Sequence, residues 1–346
     1  MKNLIFSLII TILVSGCAND QPYPWNKEIP FQSVLDKANG QLVLLDFFTT
    51  WCGYCKMMDE NTFTDSKVKS FANKNLVSMK IDAEKGEGIE LAERYNIRGY
   101  PTFVFVNGQG EEVDRVVGYR EPDNFLSELE RIQSGKNTLP ALLEEFQLNP
   151  TSFNTLFKLA KKYQNMDDLG SAKRMANAIL AANVDSAGTA AFLTIYYGAK
   201  VTRDPNPLIA YADENPESDY AGDALEEALW LVRIKREDTD LEANLFLRVI
   251  NSMKEPNPSM MNSFAWRMSE LEMNLDMALE KITWAIDNEP DEKRKHMCID
   301  TKAEVLFKMG RIDDAISEVE KCIEFDPEYQ YYQEQLEKFK QAKMPA

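Results

Sequence analysis

The chain has 346 residues, a hydrophobic share of 44% and a formal net charge of −17 at pH 7. Its length and apolar content suffice for two or three globular domains, whereas the acidic balance, without a basic patch, argues against nucleic acid as a partner. The single histidine, His296, lies in the charged run DEKRKH, which excludes most hydrolase mechanisms that depend on a histidine base.

The N-terminus has the composition of an export signal. Lys2 precedes an apolar run at residues 4–14, which ends in Ser15-Gly16-Cys17. This junction resembles a bacterial lipobox, in which the chain is cleaved before a lipidated cysteine. It predicts a signal peptide at 1–16, a lipidated tether at 17–26 and a membrane-anchored location in the bacterial cell envelope, periplasmic or outer-membrane facing. The alternatives are an ordinary secretory signal with an incidental Cys17, or a buried apolar helix.

Residues 27–135 alternate between helical and strand patterns, which predicts an α/β domain. Helices are expected at 31–39, 53–61, 65–73 and 88–95, and a last one from Pro122. Strands are expected at LVLLDFF, LVSMKID, TFVFVN and EVDRVVGY. The continuous apolar character of LVLLDFF is typical of a central strand covered on both faces.

The segment TTWCGYCK, residues 49–56, joins the first of these strands to a helix and places Cys52 at the helix N-terminus. Free backbone N–H groups and the helix dipole stabilise a thiolate at that position. A redox pair is therefore favoured for Cys52 and Cys55. The alternatives are a zinc site, which would need four ligands, a structural disulfide, or a domain that only binds.

These motifs resemble the thioredoxin fold over residues 28–133. DFFTTWCGYCK is similar to its active-site segment, with Asp46 at the buried acid position, and YNIRGYPTFVFVNGQGE places Pro101 at the cis-proline position. The segment CKMMDENTFTDSKV resembles the C-terminal periplasmic domain of transmembrane thiol:disulfide interchange proteins more than it resembles cytosolic thioredoxin. The lysine that usually accompanies the buried acid has no obvious counterpart, since Ser78 and Lys80 bracket its place.

The resemblance implies roles for the site residues. An exposed Cys52 would attack a substrate disulfide, a buried Cys55 would resolve the mixed disulfide, and Asp46 would exchange a proton with Cys55. A cis Tyr100–Pro101 bond would present a backbone edge to an extended peptide. The expected substrate-binding residues are Trp51, Tyr54, Tyr100 and Pro101. No metal or cofactor is expected.

After a linker at 136–150, residues 151–346 show helical periodicity and internal repetition. DMALEKITWAIDNEP and DDAISEVEKCIEFDP align at residues 276–290 and 313–327, with Ala278 and Ala315 at equivalent positions. This pattern resembles tetratricopeptide repeats and predicts an all-α helical solenoid. Residues 153–180 form a further candidate unit, and residues 185–258 are helical without an assignable register. The helices would bind a client or partner peptide, or only space the first domain.

Cys298 and Cys322 are predicted at similar heights on paired helices. Packed helix axes are usually about 8–10 Å apart, more than the Cα span of about 5.5–6 Å in a disulfide. Two buried thiols are therefore expected.

Together these patterns predict a lipid-anchored, extracytoplasmic oxidoreductase that reduces or isomerises protein disulfides and is recharged by an unidentified thiol donor. Tyr54 brings no positive charge between the cysteines, and Asp46 disfavours a thiolate, so a reductase is expected, with a potential below about −200 mV. The alternative is a non-catalytic scaffold that uses the thioredoxin fold as an interaction module.

Overall fold

The computed structural model describes residues 22–27, 29–184 and 188–343. The chain divides after Val184 into two compact units. The predicted signal peptide and Cys17 lie outside the described residues. In the part of the chain that the structure describes, every helix is too short or too polar to cross a membrane.

A five-stranded mixed sheet forms the centre of the first unit. The strands are β1 (Trp25–Asn26), β2 (Leu42–Phe48), β3 (Leu76–Asp82), β4 (Thr102–Val106) and β5 (Glu112–Val117). Their order in the sheet is β1-β3-β2-β4-β5. Strand β2 is parallel to β3 and antiparallel to β4, and β5 is antiparallel to β4 at one edge. The four strands that the sequence predicts are confirmed as β2, β3, β4 and β5.

Helices cover both faces of this sheet. They are α1 (Phe31–Ala38), α2 (Gly53–Met57), α3 (Ser66–Asn75), α4 (Glu87–Arg94) and α5 (Pro122–Gln133), and α2 continues as a π-helical segment, Met58–Thr62. Along β4, Val104 faces the core under α1 and α4, whereas Phe103 and Phe105 face the core under α3 and α5. This alternation follows from the period of two in a strand.

The fold extends on both sides of the predicted domain. Trp25 and Asn26, expected at the end of the tether, form β1 and pair with β3. Tyr23 and Trp25 pack against Phe63 at ring-centroid distances of 4.8 and 4.9 Å. The tether expectation is therefore wrong for these residues, because the burial of Tyr23 and the partial burial of Trp25 favour their attachment to the sheet.

The predicted linker is also structured. It contains α6 (Leu139–Leu148), which is followed by α7 (Phe153–Asn165) and α8 (Leu169–Ala182) in the same compact unit. Helices α6 and α7 both contact β5, and Leu142 on α6 is fully buried. The linker expectation fails here because α6 covers the edge strand instead of spanning solvent.

The second unit is all-helical in its described residues. Its helices are α9 (Thr189–Thr202), α10 (Asn206–Glu214), α11 (Ala221–Lys235), α12 (Thr239–Ser252), α13 (Pro258–Leu271), α14 (Leu275–Asn288), α15 (Glu292–Lys308), α16 (Ile312–Phe325) and α17 (Gln330–Lys343). The two aligned sequence segments fall on α14 and α16, and Ala278 and Ala315 are fully buried. The predicted succession of an α/β unit and an all-α region is confirmed, and the tetratricopeptide assignment stays a prediction.

Cys298 and Cys322 are free and buried, as expected. Cys322 Sγ lies 3.4 Å from the backbone oxygen of His296 on the neighbouring helix α15. Burial raises the pKa of Cys298 to about 11 and that of Cys322 to about 12. Neither thiol therefore has thiolate character at neutral pH.

Candidate active site

The cysteine pair lies where the central strand β2 turns into helix α2. Cys52 is the N-cap residue of α2, and its Sγ accepts a hydrogen bond from the backbone N–H of Cys55 at 3.0 Å. The two cysteines form a disulfide with an S–S distance of 2.03 Å. An N-cap sulfur next to unsatisfied backbone N–H groups is stabilised when it becomes a thiolate.

The structure differs from the expected contrast in burial between the two cysteines. In the disulfide, Cys52 is 5% exposed and Cys55 is 4% exposed. The expectation that Cys52 alone faces solvent is therefore wrong for this state. What distinguishes Cys52 is its place at the helix N-terminus, because Cys55 lies within the first turn of the helix.

Asp46 is buried on β2, six residues before Cys52 in the chain. Its Oδ2 lies 3.3 Å from Lys80 Nζ, and the two residues are register partners across β2 and β3. Lys80 also pairs with Asp59 of the π-helical segment. Burial raises the pKa of Asp46 to about 6; Lys80 opposes this shift, and the negative charge of Asp59 adds to it. Asp46 can therefore gain or lose a proton near neutral pH.

Aromatic side chains surround the cysteines and remain largely in solvent. Trp51 is 68% exposed, donates its indole N–H to Glu84 at 3.0 Å and contacts Tyr100 edge to face. Tyr54 is 62% exposed and stacks on Tyr119 at a centroid distance of 6.5 Å. Tyrosine and tryptophan can pack their apolar rings against a partner while their O–H or N–H group stays in water.

The Tyr100–Pro101 peptide bond is cis, as the sequence motif predicts. The carbonyl oxygen of Pro101 accepts a hydrogen bond from Gly118 N at 2.8 Å, which ties this bond to the end of β5. Gly118 has a φ of 84°, a conformation that favours glycine.

The site residues form two clusters. In the first, Trp51 contacts Tyr100. In the second, Lys80 contacts both Asp46 and Asp59. Sequence reasoning missed Asp59 and Tyr119 and left Lys80 unassigned. Asp59 lies in the DEN segment that follows the cysteines, and only its contact with Lys80 distinguishes it from a surface acid. Among the described residues, His, Cys, Asp and Glu side chains form no group of three or more that could hold a metal ion.

Comparison with known proteins supports the assignment of the first domain. Residues 34–133 match the model of the thioredoxin-like domain family. The thiol:disulfide interchange protein DsbD of Yersinia pestis (strain Pestoides F) is 36% identical over 102 residues, and that of Ralstonia nicotianae is 35% identical over 96 residues. These matches cover 29% and 27% of this chain but only 17% and 16% of the respective relative.

Among solved structures, a thioredoxin from Thermus thermophilus is 32% identical, with a TM-score of 0.29. The match covers 32% of this chain and 88% of the thioredoxin. The family match alone assigns residues 34–133 to a thioredoxin-like domain, and the all-helical second unit lies outside that match.

Proposed function

We propose that this protein is a protein-disulfide oxidoreductase that reduces or isomerises disulfides in exported proteins. The observation that carries the proposal is a Cys52–Cys55 pair at a helix N-terminus, in a domain whose buried Asp46 has a pKa of about 6. Such a pair can cycle between dithiol and disulfide, and a carboxyl with that pKa can hold or release a proton at physiological pH.

The reaction begins from the reduced pair. The Cys52 thiolate attacks one sulfur of a substrate disulfide, forms a mixed disulfide and releases the first substrate thiolate. Cys55, once deprotonated, attacks Cys52 Sγ and releases the second substrate thiolate. The substrate gains two electrons, the protein is left as the disulfide seen in the structure, and a thiol donor must return two electrons for another cycle.

Asp46 is proposed to accept the proton of Cys55 in the second step. Its side chain belongs to the face of β2 that packs under α3 and α5, because it alternates with Leu45 and Phe47 of the opposite core. Lys80 would limit the cost of a buried carboxylate while Asp46 is ionised.

An extended substrate peptide is proposed to lie along the cis Tyr100–Pro101 bond. Trp51, which precedes Cys52, and Tyr54, which lies between the two cysteines, supply exposed aromatic area. Backbone pairing of this kind gives affinity with little dependence on sequence.

Attachment to the cell envelope by a lipid on Cys17 is part of the proposal, and it rests on the sequence junction alone. A Cys17→Ser variant should accumulate as unprocessed precursor, whereas the wild type should partition into detergent with a modified N-terminus. A wild type that fractionates as soluble with an unmodified N-terminus would contradict the anchor.

The helical region is proposed to recruit a client or partner protein. On α11, Trp230 and Ile234 are 52% and 43% exposed, and residues four apart share one helical face. An exposed aromatic residue next to an aliphatic one is the composition that protein interfaces favour. A Trp230→Ala variant should retain insulin reduction and capture fewer envelope proteins.

Insulin reduction with dithiothreitol tests the catalytic proposal. Cys52→Ala and Cys55→Ala should both lose turnover, whereas Cys298→Ala, which removes a buried thiol from the second unit, should retain it. Cys55→Ala should also trap substrates as mixed disulfides. If the wild type reduces insulin no faster than the background rate, the catalytic proposal is wrong. The rival function, a scaffold that binds without catalysis, then remains.

A further inference from the structure

A cavity of about 390 Å³ opens beside β5, where helices α5, α6 and α7 meet the edge of the sheet. Six cationic side chains line it, although the whole chain has a formal charge of −17. They are Arg115, Arg120, Arg131, Lys158, Lys161 and Lys162. The cavity is therefore a local positive region in an acidic protein, and it lies outside the cysteine motif.

Three of these cations have structural partners. Arg115 pairs with Glu112, and both Arg131 and Lys162 pair with the buried carboxylate of Asp114. These contacts join β5 to α5 and α7. Their charges are largely compensated within the fold, because a buried carboxylate needs such partners.

Arg120 and Lys158 differ from that group. Both are half-buried, and neither forms an ion pair with any described residue. Arg120 donates to the backbone oxygen of Tyr119 at 2.8 Å, and Lys158 donates to Asn137 Oδ1 at 2.9 Å. Cations held partly out of water by neutral acceptors alone are better stabilised when an anion joins them.

The rest of the cavity wall is part polar and part apolar. Its other polar residues are Glu128, which pairs with Arg131, and Asn137 and Asn165. Its apolar part includes Leu142 of α6, Phe157 of α7 and Val117 of β5, which is 39% exposed. A ligand with a carboxylate on a short aliphatic stem would satisfy both parts of the wall. The volume lies within the range of about 300–1,000 Å³ that is usual for ligand sites.

Two residues of the cavity wall, Val117 and Arg120, lie next to residues of the candidate active site. Val117 is the register partner of Thr102, which follows the cis-proline, and Gly118 N donates to Pro101 O. Tyr119 stacks on Tyr54, and Arg120 N lies 3.4 Å from Met58 Sδ at the end of the active-site helix. Adjacent strands are about 4.8 Å apart, so an extended peptide at Pro101 needs only a few residues to reach the cavity.

We propose that this cavity is a specificity subsite that accepts an acidic side chain, aspartate or glutamate, of the disulfide substrate within a few residues of its cysteine. The proposal rests on the proposed function, because it names the class of substrate. A free phosphate ion would satisfy the cations but would leave the apolar wall uncovered.

The test compares two disulfide-bridged peptides that differ only in carrying Glu or Gln at the positions flanking one cysteine. With the full chain in nonionic detergent, kcat/KM should be about fivefold higher for the Glu peptide. The ratio should approach one in Lys158→Gln and Arg120→Gln, and it should fall in high salt. Lys74→Gln, which removes an exposed charge from α3 outside the cavity, should leave the ratio unchanged.

Calorimetry separates this proposal from the catalytic one. The redox-inactive Cys52→Ser, Cys55→Ser protein should bind the Glu peptide more tightly than the Gln peptide, whether or not the wild type turns over. Equal binding of the two peptides overturns the subsite. An equal change of the kcat/KM ratio in Lys158→Gln and Lys74→Gln would also overturn it. The same holds if inorganic phosphate saturates the cavity and the protein shows no preference between the two peptides. Circular dichroism of each variant checks folding, and Arg120→Gln gives an independent second measurement.

Discussion

Lys80 Nζ lies 3.3 Å from Asp46 Oδ2 and also pairs with Asp59. One cation thus connects the buried acid of the central strand to the segment that follows the active-site helix. Burial raises the pKa of Asp46 to about 6 in spite of this contact, and Asp59 adds to the shift. The protonation of Asp46 is therefore set by the balance of burial, one cation and one further carboxylate.

Asp46→Asn should stabilise the oxidised protein at neutral pH. Between the unfolded pKa of about 3.9 and the folded value of about 6, the folded state binds more proton than the unfolded state, so stability falls as pH rises. The variant lacks this loss. Its stability advantage, the difference between its free energy of unfolding and that of the wild type, should therefore grow by roughly 2–3 kcal/mol between pH 4 and pH 7. Hydrogen exchange of the β2 and β3 amides, corrected for intrinsic rates, measures it.

The exposed carboxylate Asp36 on α1 provides the matched control. Asp36→Asn should show no comparable pH-dependent gain. In Asp46→Asn, Lys80 keeps Asp59 as a partner, so the substitution does not leave a buried cation alone. An advantage that is constant across this pH range would contradict the raised pKa of Asp46.

Lys80→Gln should raise the pKa of Asp46 further, because the nearest cation that stabilises the carboxylate is removed. A loss of an opposite charge at this distance typically shifts a pKa by about one unit or more. Carbon-13 NMR of labelled aspartate carboxyls should follow the titration directly, with Lys80→Arg as the control that keeps the charge. No shift in Lys80→Gln would mean that the contact has no electrostatic effect.

In the reduced protein, Cys52 should react with iodoacetamide before Cys55 at neutral pH. Cys52 is the helix N-cap, where the N–H groups of α2 favour a thiolate. Cys298 and Cys322 should stay unlabelled until the protein is denatured, because burial raises their pKa values to about 11 and about 12. Peptide mapping after timed quenching gives the order, and earlier modification of Cys55 would reverse the assigned roles.

Local patterns were sufficient to predict the elements around the site. The strand patterns LVLLDFF and LVSMKID match β2 and β3. The helix expected from residue 65 is also present, with Asp65 as its N-cap, whose side chain accepts from Lys67 N and Val68 N. These features depend on residues close together in the chain. The cis Tyr100–Pro101 bond was expected from the motif resemblance instead.

The partner of Asp46 could not be predicted, because it depends on register between two strands. Ser78 and Lys80 are two residues apart and so share one face of β3, and only the pairing of Asp46 with Lys80 decides between them. Helix α6 could not be predicted for a similar reason, since it too depends on contacts between residues far apart in the chain. A ten-residue segment with Pro140 near its start shows little periodicity, and its packing on β5 is a long-range contact.

The direction of electron flow is the remaining prediction, and it depends on the charges around the cysteines. Between them, Tyr54 is exposed and neutral, and Asp46, ionised mostly above its pKa of about 6, disfavours a nearby thiolate. Destabilising the thiolate favours the disulfide, so the potential should be below about −200 mV and close to that of thioredoxin. Tyr54→His, which can place a cation there, should raise it by tens of millivolts, and Tyr54→Phe should not. Equilibration with glutathione and dithiothreitol redox buffers, followed by quantification of the Cys52–Cys55 disulfide, measures each value. A wild-type potential near about −120 mV would mean that the protein oxidises its substrates, and the assigned direction would then be wrong.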